Sequence, residues 1–188
     1  MMHFKKYWQK IPVGLSILAL AALGIGCSSD NQESGTSDPK TDKIKLADGF
    51  KVEHLYSPSD HGEGSWVAMA FDDKGRLITS DQYGYLYRMT IGEIGSKDSI
   101  QIEKLSIGAD TTGGKVPMGA AQGLLYAFNS LYVVVNGKAD DKMQHGSGVY
   151  RLQDTDGDDQ FDKITTLKVL DGGGEHGPHS IILSPDKQ

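Results

Sequence analysis

The sequence predicts an all-β protein, and three observations carry that reading. Short apolar runs recur along the chain, and turn-forming clusters such as "DDKG", "DQYG" and "VNGKADD" separate them. No window holds a capped helical period over three or more turns. The order of strands and turns also repeats, which narrows the expectation to a partial β-propeller.

The first 26 residues are expected to lie outside the fold. "MMHFKKYWQK" carries Lys5, Lys6 and Lys10 without an acid, and "IPVGLSILALAALGIG" is an apolar run short for a membrane span. Cys27, the single cysteine of the chain, follows at once. A basic stretch, an apolar stretch and small residues before a cut describe an export signal over 1–26. Its cysteine then becomes the lipidated first residue, anchoring the protein at the outer membrane on the periplasmic or cell-surface face. Gly24 stands where the usual lipobox has leucine, with Leu23 one step earlier. The alternative is an ordinary signal peptide, or an anchor helix with an incidental cysteine. Residues 27–43 are polar and rich in Ser and Asp, so they read as a flexible tether.

Beyond residue 26, acidic side chains outnumber basic ones 25 to 16. Such a surface repels nucleic acid and anionic head groups, which removes nucleic acid as a partner class. One cysteine excludes an intrachain disulfide, a cysteine zinc cluster and a c-type haem attachment site within these 188 residues.

From Ile44 to Gln188 the pattern is β. "FKVEHLY", "WVAMAF", "RLITS", "YLYRMT", "SLYVVV" and "GVYRL" read as strands. Met69–Met89 runs strand, turn, strand, turn, strand. Leu124–Gly137 with Gly148–Leu152 repeats the order, and Ile181–Lys187 opens it a third time. Aligning Phe71, Leu125 and Leu183 gives steps of 54 and 58 residues. Four-stranded units of this size, with Tyr87-Arg88 and Tyr150-Arg151 at matching places, predict about two propeller blades plus the first strand of a third. A β-sandwich with irregular loops is the rival. Because each blade needs neighbours on both faces, the chain is expected to be the N-terminal piece of a longer protein, interrupted in mid-blade.

Three stretches invite chemistry. In "QDTDGDDQFDK", Asp154, Asp156, Asp158 and Asp162 alternate along a tight loop, and oxygen ligands at that density suit Ca²⁺. An EF-hand would require glycine and glutamate where Asp159 and Thr165 stand, so the expectation is an acidic loop between strands; a solvated turn is the alternative. "GADTTGGKVPMG" has Gly114 where a phosphate loop needs lysine, followed by Lys115 and Val116, which excludes nucleotide binding. "GGGEHGPH" sets His176 and His179 among glycines, with Pro178 opposing a helical metal pair. His176 is the candidate general base, and Glu175 is placed to orient its ring or bind a cation. A turn with surface histidines is the alternative.

"GSWVAMAFDDKGRLITSDQYGYLYRMT", "AQGLLYAFNSLYVVVNG", "GVYRLQDTDGDDQFDK" and "GGGEHGPHSIILSPDK" together resemble the propeller of the PVC-type membrane-bound dehydrogenases, the haem-binding-domain proteins. That family is related to the glucose/sorbosone dehydrogenases, which use pyrroloquinoline quinone (PQQ). The resemblance runs from about Leu46 to the end. It implies that His176 takes the proton from a substrate hydroxyl, and that Gln122, in "QGLL", lies near the cofactor. The spacing at Gln122 is one residue shorter than the related Gln-x-Gly-Leu-Leu element. Pro178 and His179 follow the membrane-bound branch. Longer members continue into further blades and a c-type cytochrome domain.

The expected function is therefore an exported quinoprotein-type dehydrogenase that oxidises a sugar or related alcohol. Its expected cofactors are PQQ and a Ca²⁺ that holds the quinone, and a haem domain or partner cytochrome would receive the electrons. The alternative is a non-catalytic propeller that binds glycans or a protein partner at the cell surface.

Overall fold

The computed structural model describes residues 38–93, 100–108, 118–139, 144–174 and 176–186, and eight strands lie among them. β1 (Trp66–Phe71), β2 (Leu77–Asp81), β3 (Leu86–Thr90) and β4 (Gln101–Lys104) form one antiparallel sheet in chain order. β5 (Ala121–Ala127), β6 (Ser130–Val135), β7 (Gly148–Gln153) and β8 (Lys163–Val169) form a second sheet in the same order. The only helical element among the described residues is a 3-10 turn, Pro58–His61. The all-β expectation holds. The signal segment, including Cys27, lies outside the described residues.

The two sheets are copies of one design. Each has a register shift near the start of its first strand, between Trp66 and Ala68 in β1 and between Ala121 and Gly123 in β5. Matching these shifts pairs Met69 with Leu124 and Phe71 with Tyr126. The sequence alignment of Phe71 with Leu125 is thus one residue out, which in a strand exchanges the two faces. Tyr87-Arg88 and Tyr150-Arg151 do occupy matching places, since each pair faces the sheet's second strand in the same register.

Some elements differ from the expectation. "FKVEHLY" forms no strand, and its residues cross the outer face of the first sheet instead. There Tyr56 stacks on Trp66, and Trp66 on Tyr87. The fourth strands were not apparent as apolar runs because they are edge strands; most of β8 is exposed and correspondingly polar. Ile181–Leu183 also form no strand. A Cβ on Gly123 would come within 2.6 Å of the His179 carbonyl oxygen, so the closing segment lies over the face of β5. A ladder requires an edge, and a face offers none.

One core joins the sheets. Ile78, Leu86 and Leu105 from the first side cluster with Leu124, Leu131, Val133 and Leu152 from the second. Ile107, Met118 and Phe161 fill the seam from the connecting segments. Fully burying a side chain of this size stabilises by about 1.5–3 kcal/mol. Polar groups cross the seam too. Ser80 Oγ donates to the Ala121 carbonyl at 2.9 Å while accepting from the Ala68 amide at 3.2 Å. The Gly108 amide donates to the Phe161 carbonyl, and the Phe161 amide to that of Ser106.

Candidate functional site

The antiparallel order of the second sheet separates the two sequence-predicted sites. The Asn136 amide bonds the Ala120 carbonyl, and the Leu170 amide that of Ser147. These bonds gather the start of β5 and the ends of β6 and β8 at one end of the sheet. The glycine-histidine loop follows β8 there. The acidic loop joins β7 to β8 at the other end. β8 has seven residues, so the two sites stand roughly 20 Å apart at about 3.3 Å per residue.

At the acidic end, Asp154, Asp156 and Asp162 bring carboxylate oxygens within 4.8 Å of one another. The loop is shaped by its own carboxylates: Asp154 accepts the amides of Gly157 and Asp159, and Asp162 accepts the amide and hydroxyl of Thr155. The Thr155 hydroxyl, ahead of its amide, holds the Asp162 carboxyl below the usual carboxylate range. Asp158 is not in the cluster; its carboxylate accepts the Gln160 amide.

Asp159, the residue that breaks the EF-hand pattern, has a separate task. It holds φ at +70°, which turns its carboxylate toward Arg76 and Lys74 of the β1–β2 turn. Its main-chain carbonyl also accepts from Arg88 at 2.8 Å. Arg88 is buried and shared with Glu103. The Arg76 hydrogen bonds, then Lys74, hold the Asp159 carboxyl well below the usual range. Sequence reasoning missed this role because the arginines are more than seventy residues away.

At the histidine end, Asn136 organises the loop. It is buried, 4% exposed, and its Nδ2 donates to the Gly174 carbonyl at 3.1 Å. Its Oδ1 has no hydrogen-bond partner among the described residues. A Cβ on Gly177 would overlap that oxygen, and one on Gly172 would sit 2.8 Å from Ser147 Oγ, so both positions demand glycine. His176 is exposed and bridges back to Gly173. His179 is exposed as well, with Nδ1 2.8 Å from the Gly177 carbonyl. A carbonyl only accepts, so Nδ1 carries the proton, and in the neutral ring Nε2 keeps its lone pair. Gln122 lies at the β5 irregularity, one residue before the glycine that His179 overlies. The structure thus brings Gln122 and His179 to the same end as His176; Glu175 lies outside the described residues.

The class these features define is an all-β chain of two repeated four-stranded antiparallel sheets. No protein family, curated protein or solved structure matches this chain.

Proposed function

We propose that the two sheets are successive blades of a β-propeller. We infer further that the chain is the N-terminal part of an exported, lipid-anchored quinoprotein-type dehydrogenase acting on a sugar or related alcohol. The observation that carries this reading is the convergence of "QGLL" and "GGGEHGPH". Fifty or so residues separate them, yet Gln122, His176 and His179 share one end of the second sheet. In a propeller, loops at a single end surround the axis where ligands sit.

The residues present fit a polar ring cofactor on one side. Two exposed imidazoles and a buried amide oxygen with no donor among the described residues lie at this end of the sheet. Gln122 and His179 would hold PQQ, which supplies a hydride acceptor when bound. His176 takes the proton from the substrate hydroxyl, and its exposure leaves the ring open to that hydroxyl. His179 presents an acceptor nitrogen, because its proton is committed to Gly177. Electrons would leave to a haem domain or a partner c-type cytochrome.

Ca²⁺ fits the carboxylates of Asp154, Asp156 and Asp162, whose hard oxygens suit it. At that end of the sheet it would brace the acidic loop; the expectation that this Ca²⁺ holds the quinone is corrected, because seven residues of β8 separate it from His176.

The test is dye-linked oxidation across a panel of sugars and alcohols, by the protein containing this chain and the blades proposed to follow it. PQQ and Ca²⁺ should confer the activity, and His176→Ala should remove it. A protein with no quinone absorbance and no oxidation, but with retained oligosaccharide, would overturn the reading in favour of a glycan-binding propeller.

A further inference from the structure

The segment crossing the outer face of the first sheet holds a second constellation, independent of the dehydrogenase reading. His54 Nδ1 lies 2.9 Å from Asp38 Oδ2, and His54 Nε2 lies 2.7 Å from Ser57 Oγ. The proton directions follow from chemistry. The Lys40 amide, and then His54, hold the Asp38 carboxyl below its ordinary value, so it is ionised at neutral pH and only accepts. His54 Nδ1 must then donate, and in the neutral ring the Nε2 lone pair accepts the Ser57 hydroxyl proton. Nucleophile, base and orienting carboxylate stand in hydrogen-bonded sequence.

Local structure holds the three in place. Asp38 caps its own turn, taking the Lys40 amide on Oδ1 at 2.9 Å and the Thr41 amide on its carbonyl. Ser57 sits immediately before the 3-10 turn, where Pro58 fixes the backbone. Lys40 Nζ stands 2.5 Å from Ser57 Oγ and 2.6 Å from Asp60, so a cation is fixed beside the nucleophile. Next to the constellation is a cleft of about 350 Å³ that His54 and Lys40 help to line. Its apolar wall is Ile44, Val52, Leu55, Trp66, Leu77 and Met89.

We propose that Ser57, His54 and Asp38 form a hydrolytic site for small carboxylic esters, with the acyl chain in this cleft. Ser57 Oγ bonds to the ester carbonyl carbon as its proton passes to His54 Nε2. The C–O bond to the alcohol breaks, and the alcohol leaves with that proton. Water then attacks the acyl-serine, His54 takes and returns a proton, and carboxylic acid and free Ser57 result. Lys40 opposes the negative charge that develops on oxygen. Asp38 is a positioning residue, acting through the His54 tautomer.

The test uses the full chain, a fluorophosphonate probe with peptide mapping, and hydrolysis of p-nitrophenyl butyrate. The probe should label Ser57, and Ser57→Ala should abolish both label and turnover. His54→Ala should slow both by roughly 100-fold. Asp38→Asn should slow labelling and shift its pH profile, and Asp38→Glu should restore part of the rate; a merely structural role would leave the profile where it was. All variants are checked by circular dichroism. A folded wild-type protein unlabelled at Ser57, or hydrolysis equal in Ser57→Ala, overturns the proposal. Neither result bears on oxidation at His176.

Discussion

Arg76 grips Asp159 with both terminal nitrogens, Nη1 at 2.5 Å from Oδ2 and Nη2 at 2.9 Å from Oδ1, across 83 positions of sequence. The pair fastens the β1–β2 turn of the first sheet to the β7–β8 loop of the second. Asp72, itself buried, holds Arg76 from behind through Nε at 2.7 Å. The guanidinium is 17% exposed and Asp159 37%, so the contact is neither fully desolvated nor fully screened.

This pairing predicts an acid-sensitive seam. The folded Asp159 carboxyl titrates below its unfolded value, so its contribution is complete above about pH 5 and is lost as pH falls past the unfolded value and through the folded one. Asp159→Asn should flatten the dependence of the urea midpoint on pH between about 5 and 2. At neutral pH, Asp159→Ala should cost about 1–3 kcal/mol by leaving Arg76 and Lys74 short of an acceptor.

Ser80 predicts a second loss at the same seam. Its hydroxyl is fully buried and serves two main-chain groups, one on each sheet. Ser80→Ala should destabilise by about 1–3 kcal/mol in denaturant unfolding, since the Ala121 carbonyl loses its donor away from water. A change near zero would mean that the two sheets do not share that bond.

Gly177→Ala tests the loop architecture at the histidine end. The added methyl would overlap Asn136 Oδ1, so the loop must move and the Asn136–Gly174 bond must weaken. Amide exchange over 172–174 and 177 should quicken, while that of β6 and β7 stays unchanged. Equal exchange in both proteins would count against the clamp.

The acidic loop predicts a calcium effect on stability without an effect on His176. Ca²⁺ at a hundredfold excess over its dissociation constant should stabilise by about 2.7 kcal/mol, read as a rise in Tm that chelation reverses. Asp154→Asn should remove the rise, because Asp154 both joins the carboxylate cluster and ties the loop amides.

The four-strand repeat was legible because alternating burial leaves a period in the residues themselves: "GVYRLQ" is buried at every second position in β7. β4 and β8 were hard to see because edge strands bury little and so carry little apolar signal. The repeat alignment slipped by one residue because it matched one apolar side chain to another, Phe71 to Leu125, in strands whose two faces both carry apolar residues; the irregularity that each first strand shares fixes the true correspondence. Of the acidic cluster, Asp154, Asp156 and Asp162 were readable from spacing. The task of Asp159 was not, since it depends on Arg76 and Arg88 arriving from another sheet.

The sequence by itself determined six of the eight described strands, the turns between them and the two loops that carry the candidate chemistry, because each depends on neighbours a few residues away. Only the tertiary structure decided that the calcium-type loop and the histidine loop stand at opposite ends of one sheet. It alone brought Asp38 within reach of His54, sixteen positions on, and Asp159 within reach of Arg76. Those outcomes follow from how two sheets bury a common core, and packing of that kind leaves no local pattern along the chain.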